Sequence, residues 1–271
     1  MDSDKVDLTG NAERFTGFAD VYDRFRPQPP PVLRELLPQL AQAAAPRLVV
    51  DLGSGTGLST RFWADAATEV MGIDPSADMR TEAARHTTQA NVRYQAGYAH
   101  DTGLPDAVAD IVTCSQSLHW MEPQATFAEC ARILRPGGVF AAYDCDWPPT
   151  TAQWELDDAF RLLMARVHQL EGERRSAEQV RRWSKEQHLD RMQASGCFRF
   201  TTEVLVHHVE LGNAERIVGM ARSFGAVMGL VKRGVPEAEI GLDELHTVAQ
   251  RTLGDTPKPW YFSYRVRVAI K

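Results

Sequence analysis

The 271-residue sequence predicts an α/β fold with a mostly parallel sheet of seven strands, an antiparallel C-terminal edge strand and an inserted helical lid. Three observations predict this class. A glycine-rich turn joins an apolar segment to a helical one near residue 55. Short apolar segments then alternate with helical segments as far as residue 145. In the last segment of the chain, apolar residues partly alternate with polar ones. Such alternation is typical of parallel sheets with helical crossovers.

The first element is the stretch Val49–Gly57, which reads V-V-D-L-G-S-G-T-G. The apolar residues indicate the end of a buried strand, and the alternating glycines Gly53, Gly55 and Gly57 indicate a turn. Glycine tolerates positive φ and lets a ligand approach the backbone closely. A helix is predicted to start at Leu58, so unpaired N–H groups would face this turn.

The glycine spacing leaves two kinds of cofactor to consider. Dinucleotide-binding folds use Gly-x-Gly-x-x-Gly in the same setting, but here the third glycine comes one position too early. Asp51 stands two residues before the first glycine, where it would oppose a pyrophosphate. A cofactor with a positive end, an α-ammonium or a sulfonium, suits the turn better.

The second strand, Glu69–Asp74, ends in a carboxylate and is followed by Pro75-Ser76 and a helix. A carboxylate here can accept hydrogen bonds from both hydroxyls of a ribose. The alternative is an acid that merely precedes the helix, with Ser76 as N-cap. Asp51 and the three glycines favour the ribose.

The later elements continue the alternation of strand and helix. We expect strands at 92–96, 109–114 and 139–143, a helix at 127–134, and a turn at 135–138. After residue 196 we expect helices at 215–230 and 242–253, and strands at 203–211 and 261–270.

These motifs together resemble the class I S-adenosylmethionine-dependent methyltransferases of the small-molecule type, over residues 14–145. The glycine turn, Ile73-Asp74, Leu104-Pro105, Asp110–Val112 and Leu134–Gly138 follow that family's order and spacing. The resemblance implies a Rossmann-like sheet and S-adenosyl-L-methionine as cofactor. Ser117–Trp120, with Tyr22 and Arg26-Pro27, is similar to a subgroup that includes trans-aconitate methyltransferases.

The resemblance also implies a set of cofactor-binding residues and no metal ligands. Many relatives carry Asp where Tyr98 stands, so Ala99, His100 or Asp101 would contact the adenine instead, or Tyr98 would stack on it. The predicted cofactor-binding residues are Tyr22, Arg26, Asp51, Gly53, Ser54, Gly55, Gly57, Asp74, Pro75, Met79, Tyr98, Ala99, His100, Ser115, Gln116 and Trp120.

His119 is the candidate catalytic side chain. It follows the fourth strand, at the carboxyl edge where this fold places reacting groups. An imidazole could act as general base toward a hydroxyl or an amine. The alternative is that His119 and Trp120 only line and shape the pocket.

We expect one domain over residues 1–271. Its core would comprise 28–147 and 197–271, with a helical lid at 148–196 and an N-terminal cap helix at 11–27. The cap helix would fold over the cofactor or pack on the sheet. Bases crowd the lid between Arg174 and Lys185, but Glu171, Glu173 and Glu178 lie among them, which favours a solvated face over an acid-binding one.

Composition excludes several classes of function. A net charge of −6 argues against nucleic acid, which needs a basic surface. No apolar run reaches the ~20 residues that span a bilayer, and the N-terminus lacks a secretory signal. The four cysteines show no metal-like spacing. We therefore expect a cytoplasmic enzyme with a small-molecule acceptor as partner, and leave the oligomeric state open.

Three functions remain open from the sequence. The first is methyl transfer to a small metabolite, an organic acid or a hydroxyl-bearing natural product. The second is an NAD-dependent oxidoreductase, against which Asp51 and the early third glycine argue. The third is a protein that uses the same cofactor site without methylating, because site and chemistry are separable from fold.

Overall fold

The computed structural model describes residues 23–173 and 181–271. In this part of the chain seven strands form one sheet in the order β3-β2-β1-β4-β5-β7-β6. The strands are β1 Leu48–Leu52, β2 Glu69–Ile73, β3 Val92–Gln95, β4 Ala109–Ser115, β5 Leu134–Cys145, β6 Phe200–Gly212 and β7 Lys258–Ile270. All seven predicted strands are therefore present.

Strand directions follow the predicted pattern. β1 pairs in parallel with β2 and β4, β2 with β3, and β4 with β5. β7 runs antiparallel between β5 and β6. The predicted antiparallel C-terminal strand is thus confirmed, as the inner strand of a hairpin that forms this edge of the sheet.

Ten α-helices surround the sheet in the described residues. They are α1 Leu33–Leu40, α2 Leu58–Phe62, α3 Ala77–His86, α4 Pro123–Ile133, α5 Trp154–Glu173, α6 His188–Ala194, α7 Ala214–Arg222, α8 Gly225–Lys232, α9 Glu237–Ile240 and α10 Leu242–Thr252. Among them, none has both the length and the apolar character needed to cross a bilayer.

Successive residues of β1 point to opposite faces of the sheet, and each face has its own core. Val49 belongs to the core that includes residues of α1, α2, α5 and α7–α10, whereas Val50 belongs to the core that includes residues of α4 and α6. Both residues are fully buried. This burial on two faces explains why β1 is apolar except at Asp51 and does not alternate between apolar and polar residues.

Two local predictions need correction. The predicted turn at 135–138 is a strand irregularity within β5, where Gly137 has a φ of +76° and the pairing with β4 shifts register. The predicted helix at 215–230 is two helices, because the chain leaves helical geometry at Phe224 (φ −74°, ψ 128°). The extent of the lid at 148–196 stays a prediction; within it, Met192 of α6 is fully buried in the core against the sheet.

The division into domains and the cap helix stay predictions. Most of the cap helix, including Tyr22, lies outside the described residues, as do Arg174, Arg175 and Glu178 of the lid.

Candidate functional site

The glycine turn after β1 begins the site at the carboxyl edge of the sheet. Gly53, Gly55 and Gly57 have φ values of +66°, +52° and +81°, a region that disfavours other residues. A Cβ at Gly53 would lie 2.7 Å from the Met121 side chain, and one at Gly57 would lie 2.1 Å from the Tyr94 hydroxyl. Gly53 and Gly57 are therefore needed for packing within the protein.

Gly55 differs from its two neighbours in the turn. A Cβ built at Gly55 would meet no protein atom within 4 Å, and Gly55 lines the cavity described below. No protein atom therefore fills the space beside Gly55. A glycine here keeps the backbone accessible to a bound molecule.

Asp74, directly after β2, connects this strand end to the glycine turn. Its Oδ2 accepts a hydrogen bond of 2.9 Å from the Gly55 N–H, and its Oδ1 accepts one of 2.9 Å from the Ser76 N–H. Asp74 is 8% exposed, and burial raises the pKa of its carboxyl. Ser76 also caps α3 by accepting a hydrogen bond from the Met79 N–H, the feature that belonged to the alternative considered for Asp74.

A cavity of about 1270 Å³, counting the space at its mouth, opens between these segments. It is lined by thirteen of the predicted cofactor-binding residues: Arg26, Gly53, Ser54, Gly55, Asp74, Pro75, Met79, Tyr98, Ala99, His100, Ser115, Gln116 and Trp120. These come from four strand ends and from the segment before α1. The carboxyl ends of neighbouring parallel strands meet at one edge, which explains this convergence.

Two predicted site residues lie behind the cavity wall. Asp51 is fully buried, and its two oxygens accept hydrogen bonds of 2.8 and 2.9 Å from the hydroxyls of Thr60 and Thr113. Burial raises the pKa of Asp51 to about 6. Gly57 is displaced from the cavity because it starts α2 against Tyr94. Tyr22 lies outside the described residues.

The loop after β3 carries the residues predicted to contact the adenine, and stacking by Tyr98 remains one of the alternatives. The Tyr98 ring stacks on the His100 ring, with centroids 5.4 Å apart and planes inclined by 27°. Tyr98 lines the cavity and is 37% exposed. The family resemblance led us to expect an Asp carboxylate at the position of Tyr98; here the Tyr98 and His100 rings stand in this loop.

His119 is at the carboxyl edge but not on the cavity wall. It is 5% exposed and lies beside Trp120, with ring centroids 4.7 Å apart. Burial, together with the charges of Lys185 and Arg182, lowers the pKa of His119 well below its usual range. Its imidazole is therefore neutral near pH 7, as a proton acceptor must be. The base role stays a prediction.

Arg26 lines the cavity, and its guanidinium is held by several contacts. Its Nε donates a hydrogen bond of 2.9 Å to the Ser223 Oγ, and its guanidinium donates one of 3.1 Å to the Ser223 carbonyl. The guanidinium carbon lies 4.3 Å from the Phe224 ring centroid and 5.3 Å from that of Trp147. These contacts hold the guanidinium in one orientation.

Sequence reasoning missed ten of the lining residues. They are Pro27, Pro29, Thr56, Leu58, Ser59, Ser76, Gly97, Ser117, Met121 and Tyr264. Most are sequence neighbours of predicted residues, so adjacency to the motifs could have indicated them. Tyr264 has no such signal, because β7 reaches the cavity only through its pairing with β5.

Gln116 carries a further sign of a functional position. It follows β4, lines the cavity and has a φ of +53°, which is uncommon for a residue other than glycine. Its N–H donates a hydrogen bond of 2.9 Å to the Tyr143 carbonyl. Strained backbone of this kind is concentrated at ligand sites. Among the residues that the structure describes, no group of acidic, histidine or cysteine side chains could hold a metal ion.

Comparisons with known proteins point to methyltransferases. Residues 50–142, about a third of the chain, match the family model described as a methyltransferase domain. An uncharacterized methyltransferase from Mycobacterium tuberculosis is 37% identical over 127 residues, which cover 46% of this chain and 49% of the relative. The malonyl-[acyl-carrier protein] O-methyltransferase of Pectobacterium atrosepticum is 35% identical over 132 residues, covering 48% and 51%.

The chain thus spans about half the length of the curated relatives it matches. A provisionally assigned type II methyltransferase from Anaeromyxobacter dehalogenans has a similar structure, with a TM-score of 0.65 and 23% identity. The match covers 91% of this chain and 97% of that one, and it shows that the two share a fold. These comparisons favour a methyltransferase over an oxidoreductase, and none of them supports the trans-aconitate-like subgroup in particular.

Proposed function

We propose that this protein is a class I S-adenosyl-L-methionine-dependent methyltransferase that acts on a small acceptor. The observation that carries the proposal is the joined pair of Asp74 and Gly55. A strand-terminal carboxylate with 8% exposure borders the cavity and is hydrogen-bonded to Gly55, a lining glycine whose added Cβ would meet no protein atom within 4 Å. A nucleoside ligand needs both features, a carboxylate for its ribose hydroxyls and a backbone it can approach closely.

The cavity offers groups suited to the ribose and the adenine of this cofactor. Asp74 would hold the ribose hydroxyls, and Tyr98, Ala99 and His100 would contact the adenine. Ser54 supplies a buried hydroxyl oxygen that has no hydrogen-bond partner within the described chain, next to the glycine turn. Such an atom is expected to find a partner in a ligand or in ordered water. When bound, the cofactor supplies a methyl group on a cationic sulfur, open to attack by a nucleophile.

This chain's own residues would then align the acceptor and exclude water. Holding two reactants at attack distance can supply ~7–11 kcal/mol of the barrier. Trp120 and Met121 contribute apolar surface to the wall. Gln116 and Tyr264 contribute polar groups, although the Tyr264 hydroxyl donates a hydrogen bond of 3.0 Å to the Gln28 carbonyl.

Arg26 supports a small organic acid as the acceptor, as in the trans-aconitate-like subgroup. Of the described residues that line the cavity, Arg26 alone is an arginine or lysine. An arginine held in one orientation is suited to a carboxylate. A carboxylate oxygen is already nucleophilic near neutral pH, so its methylation would need no base. A hydroxyl-bearing acceptor would need one, and His119 is the candidate.

Product analysis tests the proposal. The protein would be incubated with methyl-labelled S-adenosylmethionine and a panel of dicarboxylic and tricarboxylic acids, with matched hydroxyl and amine compounds. Mass spectrometry is expected to find labelled methyl esters of acids. If the cofactor binds but no labelled product forms from a full metabolite extract, the protein uses its site without methylating, and the proposal fails.

A further inference from the structure

Five buried or half-buried polar side chains lie next to the cavity wall without forming part of it. They are His119, Asp144, Lys185, His188 and Arg267, here called the edge cluster. Asp144, Arg267, His119 and His188 are 4%, 3%, 5% and 0% exposed. Ionisable side chains are rarely buried to this extent unless they are paired or functional.

Asp144, near the end of β5, is the centre of the edge cluster. Its Oδ1 lies 2.7 Å from the Lys185 Nζ, and its Oδ2 accepts a hydrogen bond of 3.0 Å from the Arg267 guanidinium. The Arg267 Nε lies in turn 2.8 Å from a Glu203 carboxylate oxygen. Two cations from different parts of the chain therefore neutralise one buried carboxylate.

His119 faces the same carboxylate. Its Nδ1 is 3.9 Å from the Asp144 Oδ1, the oxygen that Lys185 contacts. This distance is too long for a hydrogen bond, and the Nδ1 has no hydrogen-bond partner among the described residues. An unopposed carboxylate this close would favour a protonated imidazole.

The charges around His119 come from four parts of the chain. Lys185 and Arg182 lie in the segment before α6, His188 begins α6, and Arg26 precedes α1; each of them disfavours a proton on His119. Asp144 of β5 acts in the opposite sense. Lys185 has a double effect, because it repels a proton on His119 and also neutralises the nearby Asp144 carboxylate.

Further contacts fix the Lys185 segment relative to His119. The Trp183 N–H donates a hydrogen bond of 2.9 Å to the His119 carbonyl. The Arg182 guanidinium carbon lies 5.5 Å from the ring centroid of Trp120, which lines the cavity. Lys185 is therefore held in register with the segment that carries His119.

We propose that Lys185 is a positioning residue of the site: by pairing with Asp144 it prevents that carboxylate from charging His119 and so preserves a neutral imidazole beside the cavity. Its kinetic consequence rests on the proposed function, because a neutral His119 matters to methyl transfer only if that reaction occurs. The effect of Lys185 on the protonation of His119 does not depend on the proposed function, and it can be measured on the protein alone.

The test is the titration of His119 followed by NMR, with the resonance identified through His119→Gln. In Lys185→Met we expect the midpoint of the His119 titration to rise by about one pH unit, the lower end of the effect of a close carboxylate. Lys185→Arg keeps the charge and is expected to retain the wild-type midpoint. Lys258→Met removes a lysine whose amino group donates to the Thr252 carbonyl instead, and it is the matched control.

The double variant Asp144→Asn/Lys185→Met separates the two effects of Lys185. If Lys185 acts by neutralising Asp144, most of the rise disappears relative to Asp144→Asn alone. An equal rise in both backgrounds, or no rise in Lys185→Met, overturns the proposal. If Asp144→Asn does not fold, the comparison of Lys185→Arg with Lys185→Met decides, and equal midpoints in the two variants contradict it.

Calorimetric affinity for S-adenosylmethionine is measured on the same variants. Because Lys185 does not line the cavity, we expect wild-type affinity in Lys185→Met. Failure of the wild-type protein to bind this cofactor would contradict the proposed function while leaving the titration result intact. The two claims can therefore fail separately.

Discussion

The Oδ2 of Asp74 accepts a hydrogen bond of 2.9 Å from the Gly55 N–H, which ties the end of the second strand to the glycine turn after the first. The same carboxylate borders the cavity. Asp74 thus shapes the turn and also presents an oxygen to any ligand bound there. Changes at these two residues should affect binding more than folding.

Asp74→Ala is expected to weaken S-adenosylmethionine binding by ~1.5–3 kcal/mol, the range for hydrogen bonds to a charged group. Asp74→Asn should lose less, because the amide oxygen can still accept from one N–H. Isothermal titration calorimetry measures both. An unchanged affinity in Asp74→Ala would remove this residue from the site.

Asp51 should make the stability of the protein depend on pH. Its pKa is about 6 in the folded protein against 3.8 as the ordinary value, so between these pH values the folded state holds a proton that the unfolded state has lost. Stability conferred by the protonated form is therefore lost as pH rises from about 4 to about 6. Asp51→Asn removes this dependence.

Urea denaturation of both proteins across this range checks the effect. The free energy of unfolding of Asp51→Asn, relative to wild type, should increase by on the order of 2–3 kcal/mol from pH 4 to pH 7. Asp65→Asn is the control, since the Asp65 side chain is 81% exposed. A difference that does not vary with pH would contradict the raised pKa of Asp51.

His119→Ala distinguishes the two acceptor classes. If the acceptor is a hydroxyl or an amine and His119 is its base, kcat should fall by ~10²–10⁴. If the acceptor is a carboxylate, the loss should be small and appear mainly in KM. Steady-state kinetics on the identified acceptor measure both constants. His168→Ala, on the exposed side of α5, should leave them unchanged.

Arg26→Met tests whether the Arg26 guanidinium binds the carboxylate of the acceptor or that of the cofactor. We expect KM for an acid acceptor to rise by about 10–100-fold, the equivalent of one charged hydrogen bond, with the cofactor Kd unchanged. Arg24→Met is the matched control, because Arg24 is 67% exposed and pairs with Glu215 instead. A weaker cofactor Kd with unchanged KM would assign Arg26 to the cofactor carboxylate and contradict our expectation.

Much of the fold could be predicted because its signals are local. Buried parallel strands appear in the sequence as apolar runs. The glycines of the turn have a spacing that few other structures require. The break at Phe224 could not be predicted, because the sequence on both sides favours a helix and the ring is held by Trp147 and Phe160. Tertiary packing overrides local preference at this point.

The site was predictable to the extent that motifs mark strand ends. Thirteen predicted residues line the cavity because each follows a strand or precedes α1. Asp51 shows the limit of this reasoning. The sequence places it beside the glycines, but only the pairing of β1 with β4 brings Thr113 close enough to turn its carboxylate inward.

The central claim is that the open side of Gly55 receives S-adenosylmethionine, and calorimetry on three proteins tests it most directly. Gly55 and Gly196 both have positive φ and no atom within 4 Å of an added Cβ, but Gly196 is not on the cavity wall. Alanine at either should cost similar stability, about 1 kcal/mol. We predict that wild type and Gly196→Ala bind S-adenosylmethionine alike, whereas Gly55→Ala binds at least about tenfold more weakly, a loss of about 1.4 kcal/mol. Equal binding by all three proteins, or binding of a nicotinamide dinucleotide in place of S-adenosylmethionine, would contradict the account.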